Sequence, residues 1–82
     1  MTADDIRQIL LEEIGNIAPE ADLGALDPEV DYREKLDIDS IGFLNLIIAI
    51  GKRLKIEVPE KDYARLGTLS GAVSYLVARK RG

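Results

Sequence analysis

Between Asp4 and Ile17, apolar residues fall at Ile6, Ile9, Leu10, Ile14 and Ile17, with Leu11 beside them, so one face recurs every three or four positions. That spacing predicts an amphipathic helix. Thr2 stands where an N-cap is needed, Asp4 and Asp5 put negative charge in the first turn, and Pro19 ends the pattern. Residues 18–39 show no sustained period; Pro19, Gly24 and Pro28 punctuate them, and six acids lie between Glu20 and Glu34. They read as one long loop, of a length that compact domains keep mostly for function. Leu23, Leu26, Val30, Tyr32 and Leu36 are the side chains expected to pin it to the core.

The stretch from Ser40 to Leu54 is the most apolar in the chain. Asp39 opens it and Lys52 and Arg53 close it, which matches a helix dipole, and its length favours helix over buried strand. On a helical projection Phe43, Leu46, Ile47, Ile50 and Leu54 make one stripe, and Ile41, Leu44 and Ile48 make an adjacent one. One stripe suffices for a core. The second is either buried as well, as on a central helix, or a partly exposed docking face, and periodicity leaves both open.

Lys55 to Val58 is a short connection, and Pro59 suits the first position of a helical turn running through Glu60 to about Arg65. Gly67 breaks that turn. Thr68 can cap a last helix in which Leu69, Ala72, Val73, Leu76 and Val77 recur at helical spacing, ending near Lys80. Residues 1–82 are therefore expected to form one all-α domain with three long helices, one short helix and a long first loop.

Composition narrows the chemistry. A chain of 82 residues buries only about 60–65% of the surface it exposes when unfolded, enough for a single core. With 46% apolar residues, one Phe, three Tyr and no Trp, that core must be mainly aliphatic. Cysteine and histidine are both absent. No disulfide or thiolate metal site can form, and the usual general base and thiol nucleophile are missing. A triad on any serine would lack its base. Lys35 lies in the acidic loop, where carboxylates would keep it protonated. An enzyme is therefore not expected.

No leader-like segment opens the chain and no apolar run approaches about 18 residues, so a cytoplasmic protein without membrane insertion is expected. The net charge of −4 conceals an asymmetry: residues 1–40 hold twelve acids and three bases, residues 41–82 three acids and eight bases. An acidic balance argues against nucleic acid as a partner. The basic half can still face an anionic one.

Of the three serines, Ser70 and Ser74 lie inside the predicted last helix, and Ser40 alone stands where the acidic loop turns into the apolar helix. Taken alone, Asp39-Ser40 reads as an ordinary N-cap. Its surroundings say more: Leu36-Asp37-Ile38-Asp39-Ser40-Ile41, followed by the apolar helix, resembles the attachment motif of acyl carrier proteins. Those proteins usually have Asp-Ser-Leu, from which Ile41 departs conservatively. Ile56-Glu57-Val58-Pro59 resembles the turn after their second helix, Thr68-Leu69 and Ala72 to Leu76 their last helix, and Tyr32 and Leu36 the aromatic and leucine before their motif. The resemblance spans roughly the whole chain.

It implies the four-helix bundle of that family and a covalent 4'-phosphopantetheine, moved from coenzyme A onto Ser40 by a phosphopantetheinyl transferase. Acyl groups would then ride as thioesters between acyl-loading and acyl-processing enzymes, on a carrier expected to be monomeric. Asp39, Ile41, Leu44 and Ile48 would serve partner docking, and Phe43, Leu46 and Ile50 would line the core or an acyl channel. One departure stands out. Where many carriers of fatty acid synthesis have acids along the second helix, this chain has Gly42, Asn45, Gly51, Lys52 and Arg53. Charge complementarity sets partner choice, so a specialised carrier is expected, although Lys52 and Arg53 also simply compensate a helix end. The rival reading is an unmodified helical interaction module docking through Ile41, Leu44 and Ile48; Ser40 beside Asp39 favours the carrier.

Overall fold

Helix α1 runs from Ala3 to Ile17 in the computed structural model, which describes residues 2–81. Thr2 caps it as expected: its hydroxyl accepts from the Asp5 amide at 3.1 Å, and the Asp5 carboxylate accepts from the Thr2 amide at 3.0 Å. Two amides that lack helical partners are thereby satisfied. The bonds from Thr2 hold the Asp5 carboxyl below its ordinary pKa. Ile6, Leu10 and Ile14 are buried along one face, with Ile9, Leu11 and Ile17 packed at its margins.

The segment expected to be a featureless loop contains a 3₁₀ turn at Leu23–Ala25 and a one-turn helix, α2, at Tyr32–Lys35. Four residues cannot display a helical period, so pattern reading had nothing to detect. What makes α2 is Asp31, whose carboxylate accepts from the Arg33 amide at 2.9 Å, together with complete burial of Tyr32. The turn stops where Asp37 takes a left-handed conformation, φ 55°, and the Ile38 amide donates back to the Arg33 carbonyl at 2.8 Å. Leu23, Leu26 and Leu36 pack against the core as expected, and Ile38 joins them; Val30 is half-buried outside that cluster.

Helix α3 spans Ser40–Leu54 and buries Phe43, Leu46, Ile47, Ile50 and Leu54, the stripe read from the sequence. The next segment, Glu60–Leu66, is 3₁₀, and Pro59 precedes it as the cap instead of opening it. Helix α4 spans Leu69–Arg81, with the Gly71 amide donating to the Thr68 hydroxyl at 3.0 Å.

Helix α1 packs against both α3 and α4, and the 3₁₀ segment packs against α4. The far end of the long loop is stitched to the 3₁₀–α4 junction. The Tyr32 hydroxyl donates to the Leu66 carbonyl, the Tyr32 amide to Gly67, and the Ser70 amide to Pro28. Arg53 joins α3 to α1 through Glu12 at 2.8 Å and Glu13 at 3.1 Å. The architecture is the expected all-α bundle, three long helices with a shorter helical segment. Among the described residues, no helix is long and apolar enough to cross a membrane.

Candidate functional site

Ser40 is the first residue of α3, and it is exposed. Asp39 is extended at the N-cap and accepts from the Gly42 amide at 2.7 Å. Gly42 suits this cap, because a Cβ there would come within 3.2 Å of both the Asp39 carboxylate and an Ile38 methyl. The ordinary N-cap reading of Asp39 is thus structurally correct, and it sets the Ser40 hydroxyl at the positive end of a 15-residue helix. Amides in a helix's first turn have no helical carbonyl to bond, and an anion attached at Ser40 would lie beside them. A phosphodiester fits there.

Beside Ser40 opens a cleft of about 720 Å³ assembled from α2, α3, the loop between them and the 3₁₀ segment. Asp31, Glu34, Asp37 and Asp39 supply its acidic rim, and Ile38, Phe43, Leu44 and Tyr63 its apolar lining. Among the described residues these carboxylates do not converge into a metal-binding cluster. Arg33 is the one base in the lining. Its guanidinium grips Asp31 with two bonds, at 2.7 and 3.0 Å. That contact holds the Asp31 carboxyl below its ordinary pKa and raises the pKa of Arg33.

The three acyl-pocket candidates share the buried core but do not line one cavity. Phe43 lines the cleft, whereas Leu46 and Ile50 border an internal void of about 10 Å³ shared with Tyr32, Leu66 and Leu76. Tyr32 borders the same void, and its ring centroid lies 6.3 Å from that of Phe43. The void is no larger than a water site, so the closed core offers no room for a chain.

Ile41, Leu44 and Ile48 are 71%, 40% and 46% exposed, which decides for the open face over the buried one. Of the two bases closing α3, Arg53 is bound by Glu12 and Glu13, while Lys52 is exposed. Sequence reading missed Arg33 and Tyr63, because the cleft joins elements distant in sequence. The pairing of Asp31 with Arg33 two positions later was the one local hint.

The model of the phosphopantetheine attachment site matches residues 4–76. The acyl carrier protein of Wolinella succinogenes is 27% identical over 77 residues, covering 94% of this chain and 95% of that protein. The acyl carrier protein of Helicobacter hepaticus is 24% identical over 79 residues, covering 96% and 97%. Among solved structures, the thermally stable acyl carrier protein of Enterococcus faecalis superposes with a TM-score of 0.83 at 20% identity, covering 96% of this chain and 99% of that one, and so shares the fold. With the attachment-site match running through every long helix, this chain belongs to the acyl carrier protein family, whose members are carriers, not enzymes, and bear a covalent 4'-phosphopantetheine.

Proposed function

We propose that Ser40 bears the arm and that the modified protein holds acyl intermediates as thioesters, shuttling them between enzymes of fatty acid, lipid or polyketide-type biosynthesis in the cytoplasm. The observation that carries this reading is an exposed hydroxyl at the first position of α3, beside a capping Asp39 and at the mouth of an open cleft. Transfer forms a bond from the Ser40 oxygen to phosphorus and breaks the diphosphate linkage of coenzyme A, releasing adenosine 3',5'-bisphosphate and the hydroxyl proton; the charge of the resulting phosphodiester suits the helix end. The arm supplies the thiol that a chain without cysteine lacks.

The partners on this reading are a phosphopantetheinyl transferase and acyl-loading and acyl-processing enzymes. Asp39 with Ile41, Leu44 and Ile48 forms the surface they meet. Phe43 stands at the entrance for cargo; Leu46 and Ile50 join an acyl pocket only when Tyr32 and its neighbours move aside. A specialised partner set is supported by the absence of acids on α3. Its test is loading by a standard fatty-acid ligase before and after Asn45→Glu and Lys52→Glu. Loading of the unaltered chain at a housekeeping carrier's rate refutes the specialisation.

The carrier reading is tested by intact mass spectrometry after incubation with coenzyme A and a broad-specificity transferase. A mass increase equal to phosphopantetheine, abolished by Ser40→Ala, is expected. A chain that keeps its bare mass is instead a docking module.

A further inference from the structure

Ile41, Leu44, Ile48 and Lys52 follow one another along the outer side of α3 at steps of three and four residues, and Lys55, just past the helix end, lines the same groove as Ile48 and Lys52. The two ends of this row differ in sign. Around Ser40 the cleft is rimmed by Asp31, Glu34, Asp37 and Asp39, and the charge of Arg33 is committed to Asp31. At the other end Lys52 and Lys55 line a groove of about 570 Å³ with Ile48, and Glu57 is its one acid.

That far end is positive and firmly built. Lys52 and Lys55 are exposed and make no ion pair among the described residues. Lys80 supports the same end by donating to the Leu54 carbonyl at 2.7 Å. The Ile56 amide donates to the Gly51 carbonyl at 3.0 Å, and a Cβ at residue 51 would lie 2.9 Å from the Ile56 carbonyl oxygen. The connection is thereby seated tightly on the helix, so the groove is preformed.

We propose that this row is a polarity-coded docking surface for an enzyme whose contact patch is apolar at its centre, basic beside its active-site mouth, and acidic about 18 Å further along. The proposal rests on the assignment of the arm to Ser40, which fixes the end that must meet the mouth. Charge complementarity selects this occupant: a patch basic throughout would set its far edge against Lys52 and Lys55, and like charges in contact are rejected. The apolar centre supplies contact area, whereas the opposed ends set encounter rate and direction. A carrier docked backwards is repelled at both ends.

The test uses holo protein whose arm on Ser40 has first been verified by mass. Wild type, Lys52→Glu, and Lys52→Glu with Lys55→Glu are offered to an acyl–carrier ligase with a basic docking patch, and to the same ligase with the distal bases of that patch replaced by Glu. At about 0.01 M salt, wild type should be loaded by the altered ligase with kcat/KM on the order of 10-fold higher, and the double variant should reverse the order. Lys52→Glu alone, in a regular exposed helical position, should shift the ratio in the same direction, and about 1 M salt should erase it. A wild type that prefers the uniformly basic patch, or lysine variants that leave the ratio unchanged, overturns the proposal. Failure of Ser40 to take the arm at all overturns the carrier reading instead.

Discussion

The Arg33 guanidinium carbon lies 4.6 Å from the centroid of the Phe43 ring, so a cation roofs one of the two aromatic side chains, Phe43 and Tyr63, that line the cleft beside Ser40. Asp31 fixes the guanidinium, and Gly67 leaves it space, since a Cβ at residue 67 would come within 2.7 Å of the Arg33 Nη2. Arg33→Ala removes a cation–π contact and a partly exposed ion pair, together about 1–2 kcal/mol of stability. Arg33→Lys should recover less than half, because an ammonium neither stacks on the ring nor forks to a carboxylate. The urea midpoint with an unchanged slope is the measurement.

The same pair gives a pH signature. Because the Arg33 hydrogen bonds favour the charged form of Asp31, its folded pKa lies below the unfolded value. A depressed acid contributes stability above its unfolded pKa, near 4, and loses it as pH falls through the folded value. The stability gap between wild type and Arg33→Ala should therefore hold at neutral pH and narrow below about pH 4. Carboxyl NMR should show the Asp31 titration moving upward in the variant; an unmoved midpoint contradicts the assignment.

The long helices were legible because each repeats its apolar face over several turns and carries chemical signals at its ends. The buried stripe of α3 came through intact, since Phe43, Leu46, Ile47, Ile50 and Leu54 share one face whatever they pack against. Whether Ile41, Leu44 and Ile48 were covered depended on neighbours, which periodicity does not encode. Tyr32–Lys35 is too short to repeat, and Glu60–Leu66 differs from an α-turn only in its hydrogen bonding. At the site, Asp39 and Ser40 were readable from local order. That Phe43 lines the cleft while Leu46 and Ile50 border the internal void is tertiary, set by neighbours from other elements.

Two helix stops use a residue other than glycine in the left-handed region where glycine is the usual signal: Asp37 at φ 55°, whose stop went unread, and Lys55 at φ 58°, whose stop after Leu54 was legible from the bases that close the helix. For Lys55 the strain is about 1–2 kcal/mol, and glycine's greater unfolded freedom offsets about 0.5–1 kcal/mol of any relief. Lys55→Gly should stabilise the fold by the difference, about 0.5–1 kcal/mol. Asp37→Gly should gain less, because Asp tolerates this region better. Thermal and urea unfolding of the pair check the ranking.

Tyr32 ties the loop to the 3₁₀ segment by a single buried hydroxyl, which donates to the Leu66 carbonyl. Burial is also what raises its pKa. Tyr32→Phe keeps the ring but orphans that carbonyl, at a cost of about 1–3 kcal/mol. Amide exchange should accelerate first at Tyr32 and Ser70, whose amides bond across the same seam. Uniform acceleration through α1 instead means the hydroxyl serves the whole core.

Leu46 and Ile48 are two residues apart on α3, yet one is 1% exposed and the other 46%. If burial alone assigns their roles, the two positions must respond to different measurements. Leu46→Ala removes core volume and should cost about 2–5 kcal/mol. Ile48→Ser alters the open face and should change stability by no more than about 0.5 kcal/mol. In acyl loading of the holo protein, Ile48→Ser should raise KM several-fold with kcat preserved, as expected when only binding is lost. A KM unchanged by Ile48→Ser removes this residue from the docking surface, and a large stability loss there means the face is packed in solution.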